Sequence, residues 1–378
     1  MSSSLTSERS PADVDSKISA LLGDKKFCSD LLARLRETLD GRRMRFMEVC
    51  GTHTVSIFQS GLRSLLPPNI IHLSGPGCPV CVTHESEVDA FLALARQKNA
   101  LIATFGDLIR APGSNGQTLK KARSEGSDIR IIYSPLDALR LAEENPAKEI
   151  IFLGIGFETT APLTAAVILS AHTRGIKNFS VLSLHKLVPP ALRSLLEDDA
   201  ANIDAFLLPG HVAAITGPRP FDFIADDFGK PAVVGGFEAA DILLALIDMA
   251  TSLQNGVKKT LNAYPRAVAE DGNPCAREIM ADAFRVDASR WRGLGTIDNS
   301  GLKISEKYEA YDAEKKFDLR WEDPKPIPGC KCGDILKGVL SPRDCPLFGK
   351  SCSPASPIGP CMVSTEGSCA AHYKYGAE

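Results

Sequence analysis

Cysteine is the residue type in this sequence that offers the most chemistry. The chain of 378 residues contains 11 cysteines, of which three lie in residues 50–81, six lie in residues 330–369 and two stand alone. We interpret the isolated pair, Cys28 and Cys275, as packing residues. An odd number of cysteines in a large chain without an export signal does not indicate a secreted disulfide framework. The sequence therefore predicts metal binding or redox chemistry.

The front of the chain carries a C-x-x-C motif, Cys78-Pro-Val-Cys81. This spacing closes a small disulfide ring or offers two thiolates to one metal. The motif follows a predicted strand and precedes a helical stretch at 84–97, and the partial positive charge at a helix N-terminus lowers the pKa of a nearby thiol. A redox-active dithiol is favoured. The alternative is half of a structural zinc site, although no second C-x-x-C supplies its other two ligands.

Cys50 ends a predicted strand and is followed by Gly51, which permits a tight turn. His53 stands three residues further on. A thiolate with an imidazole nearby suits a soft-metal ligand or an activated nucleophile. The alternative for a single cysteine is a small buried hydrophobic residue.

The C-terminal cysteines follow the pattern C-x-C-x12-C-x6-C-x8-C-x7-C, interleaved with proline and glycine. They are Cys330, Cys332, Cys345, Cys352, Cys361 and Cys369. Four thiolates can hold a [4Fe–4S] cluster, and proline often flanks such ligands. The two remaining thiols could form a disulfide. A zinc site of four thiolates is the alternative, and the spacing does not separate ligands from spare cysteines.

The elements that must position these residues alternate between β-prone and helical stretches. An amphipathic helix is predicted over 27–40, and β-prone runs follow at 44–49, 69–74, 100–105, 128–133, 149–155, 179–184, 204–209 and 232–236. This alternation is typical of βα units. The predicted fold is α/β, with two similar parallel-sheet domains (Rossmann-like halves) and a C-terminal cysteine-rich iron–sulfur domain. The predicted division is an N-terminal extension and helix at 1–39, α/β domain I at 40–145, α/β domain II at 146–255 and a C-terminal region with little regular structure at 256–378.

The ends of the predicted strands carry glycine, threonine and histidine. Ligands of open parallel sheets bind outside the carboxyl ends of the strands, so these loops predict a cleft between the two α/β domains. Possible donors in the outer shell of this cleft are Thr159, Thr160, His211 and Glu238. Ordinary loop capping explains these four residues equally well.

Composition excludes several classes of protein. Lys and Arg number 43 against 46 Asp and Glu, and aromatic residues make up 6%, so neither a basic surface nor a base-stacking platform for nucleic acid is expected. No apolar run reaches the ~18 residues of a membrane helix, and the N-terminus lacks the apolar core of a secretory signal. A cytoplasmic protein with no membrane and no nucleic-acid partner is predicted.

Five stretches together resemble the HypD family of hydrogenase maturation factors, over the chain from about residue 40 to its end. They are EVCGTHT (48–54), LSGPGCPVCVT (73–83), GFETTAP (156–162), LLPGHVAAITG (207–217) and CPLFGKSCSPASPIGPCMVSTEGSCAAHYKY (345–375). The resemblance implies a protein that helps to build the Fe(CN)2CO part of the active site of [NiFe]-hydrogenases. It implies a complex with the small chaperone HypC, to which HypE delivers cyanide. Such a protein is an assembly scaffold with redox activity rather than a conventional metabolic enzyme.

By motif position, the resemblance also assigns roles to the cysteines. Cys50 would hold the iron of Fe(CN)2CO together with a HypC cysteine, and Cys78 and Cys81 would be a redox dithiol beside it. The [4Fe–4S] ligands would be Cys330, Cys345, Cys352 and Cys369, and the remaining disulfide would join Cys332 to Cys361.

The mechanistic hypothesis is that the cluster reduces the Cys78–Cys81 pair, whose thiols then deliver electrons or hold ligands at the Cys50 iron. His53 would tune this site by a hydrogen bond to a sulfur or to a cyanide nitrogen. The rival hypothesis is a free-standing [4Fe–4S] protein-disulfide oxidoreductase of the ferredoxin–thioredoxin reductase type. Such an enzyme uses the same cluster and dithiol but does not need Cys50.

Overall fold

A computed structural model describes residues 22–198, 202–321 and 327–376. Its strands are β1 (Met44–Glu48), β2 (Ile70–Ser74), β3 (Ala100–Thr104), β4 (Asp128–Ile131), β5 (Glu149–Gly156), β6 (Phe179–Lys186), β7 (Ala205–Pro209), β8 (Ala232–Gly235), β9 (Thr260–Asn262), β10 (Phe284–Trp291) and β11 (Gly295–Ile304). All eight β-prone runs of the sequence are strands.

The helices lie mostly between the strands. They are α1 (Lys25–Leu39), α2 (Gly51–Gln59), α3 (Leu62–Leu65), α4 (Pro79–Val82), α5 (Glu85–Ala95), α6 (Leu119–Ser124), α7 (Pro135–Glu144), α8 (Ala161–Arg174), α9 (Val188–Glu197), α10 (Gly210–Thr216), α11 (Phe223–Asp226), α12 (Ala239–Asn255), α13 (Pro274–Ala283), α14 (Ala313–Lys316), α15 (Cys332–Leu336) and α16 (Ser368–Tyr375). Short 3-10 helices cover Asp107–Arg110, Arg219–Phe221, Glu306–Tyr311, Pro342–Asp344 and Pro360–Met362.

The strands form two sheets. The first has the order β2-β1-β7-β8-β9 and is parallel throughout, and the second has the order β10-β11-β6-β5-β3-β4. In the second sheet β4, β3, β5 and β6 are parallel, whereas β10 and β11 are an antiparallel hairpin added at the edge. β5 and β6 are buried along nearly their whole length, as expected for parallel strands that are covered on both faces. The predicted pair of parallel-sheet α/β units is confirmed.

The predicted division of the chain needs correction at residue 145. β1 and β2 pair with β7, β8 and β9, while β3 and β4 pair with β5 and β6, so each sheet takes strands from both sides of that boundary. The chain leaves the first sheet after β2 and returns to it at β7. The spacing of β-prone runs fixes the order of strands along the chain, but tertiary contacts decide which strands pair.

The region after residue 256 has more regular structure than the sequence indicated. It contributes β9 to the first sheet, and the hairpin of β10 and β11 to the second. Irregular structure dominates in residues 327–367, where short helices connect the cysteines.

The predicted N-terminal helix is α1, and its apolar face packs on α12. Asp24 caps its first turn by accepting a hydrogen bond from the Phe27 amide at 2.9 Å. In the described part of the chain, every helix is too short or too polar to cross a lipid bilayer.

Candidate metal and redox site

Cys50 lies at the carboxyl end of β1 and is the N-cap residue of α2. Its backbone is still extended, with φ −149°, so the chain turns from strand to helix at this thiol. β1 is flanked by β2 and β7 in a parallel sheet, and the loops after all three strands therefore meet at one edge. The thiol is buried, with 8% of the residue exposed.

The loop after β2 packs directly against Cys50. The Gly51 amide donates a hydrogen bond to the Gly77 carbonyl oxygen at 2.9 Å. A Cβ atom at residue 77 would lie 2.5 Å from the Cys50 Cα, and nearer still to the Cys50 nitrogen. Glycine is required here because the two loops are in backbone contact. The structure therefore brings together the Cys50 turn and the C-x-x-C loop.

Cys78 and Cys81 form a disulfide, with their Cα atoms 5.2 Å apart. Cys78 is the N-cap residue of α4, and its sulfur accepts a hydrogen bond from the Cys81 amide at 3.3 Å. Pro79 occupies the first position of this short helix, where its missing N–H is not needed. The residues are 4% and 0% exposed, so the bond is shielded from solvent on this chain.

His53 is fully buried on α2, and its imidazole contacts the loop after β8 rather than a sulfur. Its Nε2 atom lies 2.9 Å from the Gly236 carbonyl oxygen, and its ring stacks on Phe237 with centroids 4.7 Å apart. Burial lowers the pKa of His53 to about 4, so the ring is neutral and Nε2 carries the proton that is donated to Gly236. His211 stacks on the same Phe237 ring at 3.9 Å.

In this structure His53 acts on the Cys50 thiol through its backbone amide. Burial raises the pKa of the Cys50 thiol to about 12, and the amide groups of His53 and Thr52 act in the opposite direction. N–H donors of this kind stabilise a thiolate. In this structure the His53 ring donates its Nε2 proton to the Gly236 carbonyl oxygen. The expected hydrogen bond from the ring to a sulfur or to a cyanide nitrogen stays a prediction.

The other predicted donors make contacts within their own turns. The Thr160 hydroxyl donates to the Phe157 carbonyl oxygen at 3.3 Å, and Thr159 is exposed. Glu238 is the exposed N-cap residue of α12, and its amide donates to Asp241. These are the contacts of loop capping, which was the alternative interpretation. A role in the cleft stays a prediction for all three.

Two carboxyl groups beside Cys50 were missed by the sequence analysis. Glu48 accepts the Cys50 amide at 2.9 Å and the Thr54 hydroxyl at 2.5 Å. Burial raises the pKa of Glu48 to about 8. Glu366, from the C-terminal region, accepts the Thr52 hydroxyl at 3.1 Å, and burial raises its pKa as well. The sequence signal for Glu48 was a glutamate within the apolar run MRFMEV. Glu366 had no such signal, because its contact with Thr52 joins distant parts of the chain.

The C-terminal cysteines surround one cavity whose other walls are apolar. Five of them line it, namely Cys330, Cys332, Cys345, Cys352 and Cys369. The Cys330 and Cys332 sulfurs are 3.4 Å apart. Among the described residues no group of three or more His, Cys, Asp or Glu side chains is arranged to hold one metal ion. Thiols that border a cavity suit a cluster, whose ligands bind separate irons, better than a single zinc ion.

The chemistry of this donor set also fits an iron–sulfur cluster. The Cys352 sulfur accepts a hydrogen bond from the Ile358 amide at 3.4 Å, and hydrogen bonds to sulfur are one of the ways in which proteins tune such clusters. Contacts from the thiols of Cys332 and Cys361 lower the pKa of Cys369 to about 6, which favours its thiolate. Cys332 and Cys361 are close to the same thiolate but are not bonded to each other, so their disulfide stays a prediction.

The front and tail cysteines belong to one packed region. The 3-10 helix Pro360–Met362, which contains Cys361, packs on α4 of the C-x-x-C motif. α16, which contains Cys369, packs on α2 behind Cys50, and the Gln59 side chain donates to the Tyr375 hydroxyl at 2.7 Å. The C-terminal cysteine segment therefore contacts both α2, which begins after Cys50, and α4, which we call the disulfide helix.

Comparison with known proteins identifies the family. The family profile HypD, described as the hydrogenase formation hypA family, matches residues 26–376. The chain belongs to the HypD family. A relative named hydrogenase maturation factor HypD2, from Bradyrhizobium diazoefficiens, is 45% identical over 361 residues, which cover 93% of this chain and 95% of the relative.

Two further relatives carry the name hydrogenase maturation factor HypD. The protein of Cupriavidus necator is 42% identical over 364 residues, covering 93% of this chain and 95% of its own length. The protein of Escherichia coli K12 is 44% identical over 335 residues, covering 88% of this chain and 90% of its own length. The resemblance to the HypD family is thus confirmed along nearly the whole chain.

Proposed function

We propose that this protein is a cytoplasmic, redox-active scaffold on which the Fe(CN)2CO moiety of [NiFe]-hydrogenases is assembled. A HypC-type small chaperone shares the iron, and a HypE-type protein donates cyanide. The observation that carries the proposal is the packing of three cysteine groups in one region. The Cys50 turn touches the loop of the Cys78–Cys81 disulfide, and the C-terminal cysteine segment packs on the helices of both.

Cys50 is the proposed ligand of the iron cargo. Low-spin iron with cyanide and carbonyl ligands is a soft centre, which thiolates suit. Burial keeps the free thiol protonated, so iron binding must release its proton. The amide groups of Thr52 and His53 then stabilise the charge on the sulfur.

The Cys78–Cys81 disulfide is the proposed electron store beside the cargo. Opening this bond consumes two electrons and two protons and yields two thiols. A [4Fe–4S] cluster in the C-terminal cavity would supply electrons one at a time, and an external one-electron reductant must refill it. The contact between α4 and the segment of Cys361 supports a short path between the two groups.

Cys330, Cys345, Cys352 and Cys369 are the proposed ligands of the cluster, with Cys332 and Cys361 as the remaining pair. The five cysteines that line the cavity and the amide donor to Cys352 support a cluster over a single zinc ion. Anaerobic purification tests this directly. We expect a brown protein with about four irons per chain, whereas a colourless zinc protein would contradict the assignment.

The buried disulfide disfavours the rival function of a free-standing oxidoreductase. A protein substrate must reach one sulfur of the reactive pair for thiol–disulfide exchange. Here both residues are almost fully buried, and Cys81 has no exposed surface. Electron transfer within the complex does not need such access.

The decisive experiment compares Cys50→Ala with Cys275→Ala, a matched control because Cys275 is exposed. This exposure also corrects the prediction that Cys275 is a packing residue. Each variant is co-purified with the HypC-type chaperone, and the infrared bands of metal-bound cyanide and carbonyl are recorded. Cys50→Ala should lose these bands while Cys275→Ala keeps them. Full bands in Cys50→Ala would refute the assembly role of Cys50, and retained dithiol turnover as the only activity would favour the oxidoreductase.

A further inference from the structure

Arg292 lies between the disulfide helix and the C-terminal cysteines. It belongs to the turn between β10 and β11, and only 4% of it is exposed. Its amide donates to the Val82 carbonyl oxygen at 3.0 Å, and its Nε donates to the Thr83 carbonyl oxygen at 2.7 Å. Both acceptors lie at the C-terminal end of α4, directly after Cys81. The backbone and the side chain of Arg292 together therefore hold the end of the disulfide helix.

Arg292 also borders a cavity that faces the C-terminal cysteines. Its Nη1 donates to Glu85 at 2.7 Å, but its Nη2 is buried and has no hydrogen-bond partner in the described structure. The cavity has a volume of about 260 Å³. Cys330 and Cys332 line it together with Arg292, Glu85 and His84. A buried guanidinium N–H without an acceptor is unfavourable, so added negative charge close to Arg292 would be stabilised.

Two observations connect this charge with the cysteines. Gly293, the next residue in the turn, is in backbone contact with Gly333, which follows Cys332. Arg292 and Cys330 line the same cavity, and Cys330 also lines the cavity of the C-terminal cysteines, so the charge of Arg292 lies beside a proposed cluster ligand. Arg292 thus acts electrostatically on a thiol that lines the C-terminal cavity.

We propose that Arg292 is the residue that sets the reduction potential of the C-terminal cluster while it fixes the disulfide helix beside it. The inference rests on the proposed function, because it assigns a residue toward the proposed cluster. A fixed positive charge in a buried site stabilises the reduced cluster, which carries one more negative charge than the oxidised form. Glu85 partly neutralises Arg292 and therefore opposes this effect.

The test is a redox titration of the anaerobically purified full chain with dithionite and mediator dyes. Arg292→Gln should lower the midpoint potential. We expect the ratio of reduced to oxidised cluster at a fixed potential to fall about tenfold, which is 59 mV for one electron. Arg292→Lys keeps the charge and should shift the potential less. Arg285→Gln, which removes an exposed arginine of the same hairpin, should leave it unchanged.

Glu85→Gln provides a second test that does not depend on the stability of the Arg292 variants. It retains the contacts of Arg292 with Val82 and Thr83 and should raise the midpoint potential. An unshifted potential in Arg292→Gln, or a lowered one in Glu85→Gln, would overturn the role of Arg292 alone. Wild-type protein that binds no cluster would overturn this inference together with the proposed cluster.

Discussion

Gly77→Ala is a small change that tests whether the contact between the Cys50 turn and the C-x-x-C loop matters. The added Cβ would lie 2.5 Å from the Cys50 Cα, whereas ordinary contacts begin at 3.4 Å. The neighbours are backbone atoms that cannot rotate away, so the loops must separate by about 1 Å. Overpacking of this kind costs about 1–3 kcal/mol of unfolding free energy.

Gly77→Ala should reduce the rate of iron–cyanide loading by more than its loss of unfolding free energy alone would explain. A misplacement of about 1 Å between reacting groups can lower a rate ~100-fold. We therefore expect Gly77→Ala to fold, to keep its cluster and to lose most of its iron–cyanide loading. Infrared bands of the co-purified cargo report the loading, and urea unfolding reports the stability.

Gly106→Ala is the matched control for this change. Gly106 also follows a strand, but its φ is −59° and an added Cβ meets its nearest neighbour at 3.7 Å. This variant should be neutral or gain about 0.4–1 kcal/mol, because alanine restricts the unfolded chain. If Gly77→Ala loads cargo as fast as the wild type, the proposed coupling of the two loops is refuted.

Three further predictions concern buried contacts. The side chains of Lys186 and Glu87 are both 3% exposed and form an ion pair at 2.7 Å. Lys186→Met should therefore lower the unfolding free energy, measured in urea, by about 3–5 kcal/mol, and adding Glu87→Gln should recover much of that loss. An equal loss in the single and the double variant would contradict a buried ion pair. Gly359→Ala would place a Cβ 2.7 Å from the sulfur of Cys330, a proposed cluster ligand. It should reduce the iron content of the purified protein, and an unchanged iron content would argue against a ligand at this wall of the cavity. Burial lowers the pKa of His185 to about 3, so the native state excludes a proton that the unfolded state binds below its ordinary pKa of 6.5, and stability falls as the pH drops below 6.5. The unfolding free energy of His185→Gln, relative to that of the wild type, should therefore rise by about 2 kcal/mol when the pH is lowered from 7.5 to 5.0. If this difference stays constant with pH, His185 is not a buried neutral histidine in the folded protein.

The position of the strands and the grouping of the cysteines could be read from the sequence. Strand β5 is a continuous apolar run after Glu149, and this pattern is local, so it survives in any fold that buries the strand. The C-x-x-C spacing is local as well, because four consecutive residues place two sulfurs within reach of each other. The edge at which Cys50 meets the C-x-x-C loop follows from parallel pairing of β1 with β2.

The pairing of distant strands could not be read from the sequence. β3 and β4 precede β5 closely in the same alternating pattern as β1 and β2, and nothing local indicates that the chain changes sheets after β2. The hairpin of β10 and β11 was missed for a related reason, since β10 is exposed or half-buried at most positions and has no strong apolar alternation.

The amino-acid sequence alone determined which thiols this protein has and at which turns they stand, because strands, caps and short motifs depend on neighbouring residues. The tertiary structure decided what surrounds those thiols. Glu366 reaches Thr52 beside Cys50, and Arg292 reaches the end of the disulfide helix, across separations of more than 200 residues. Such contacts depend on how whole elements pack, and burial in that packing sets the pKa values of Cys50 and Glu48.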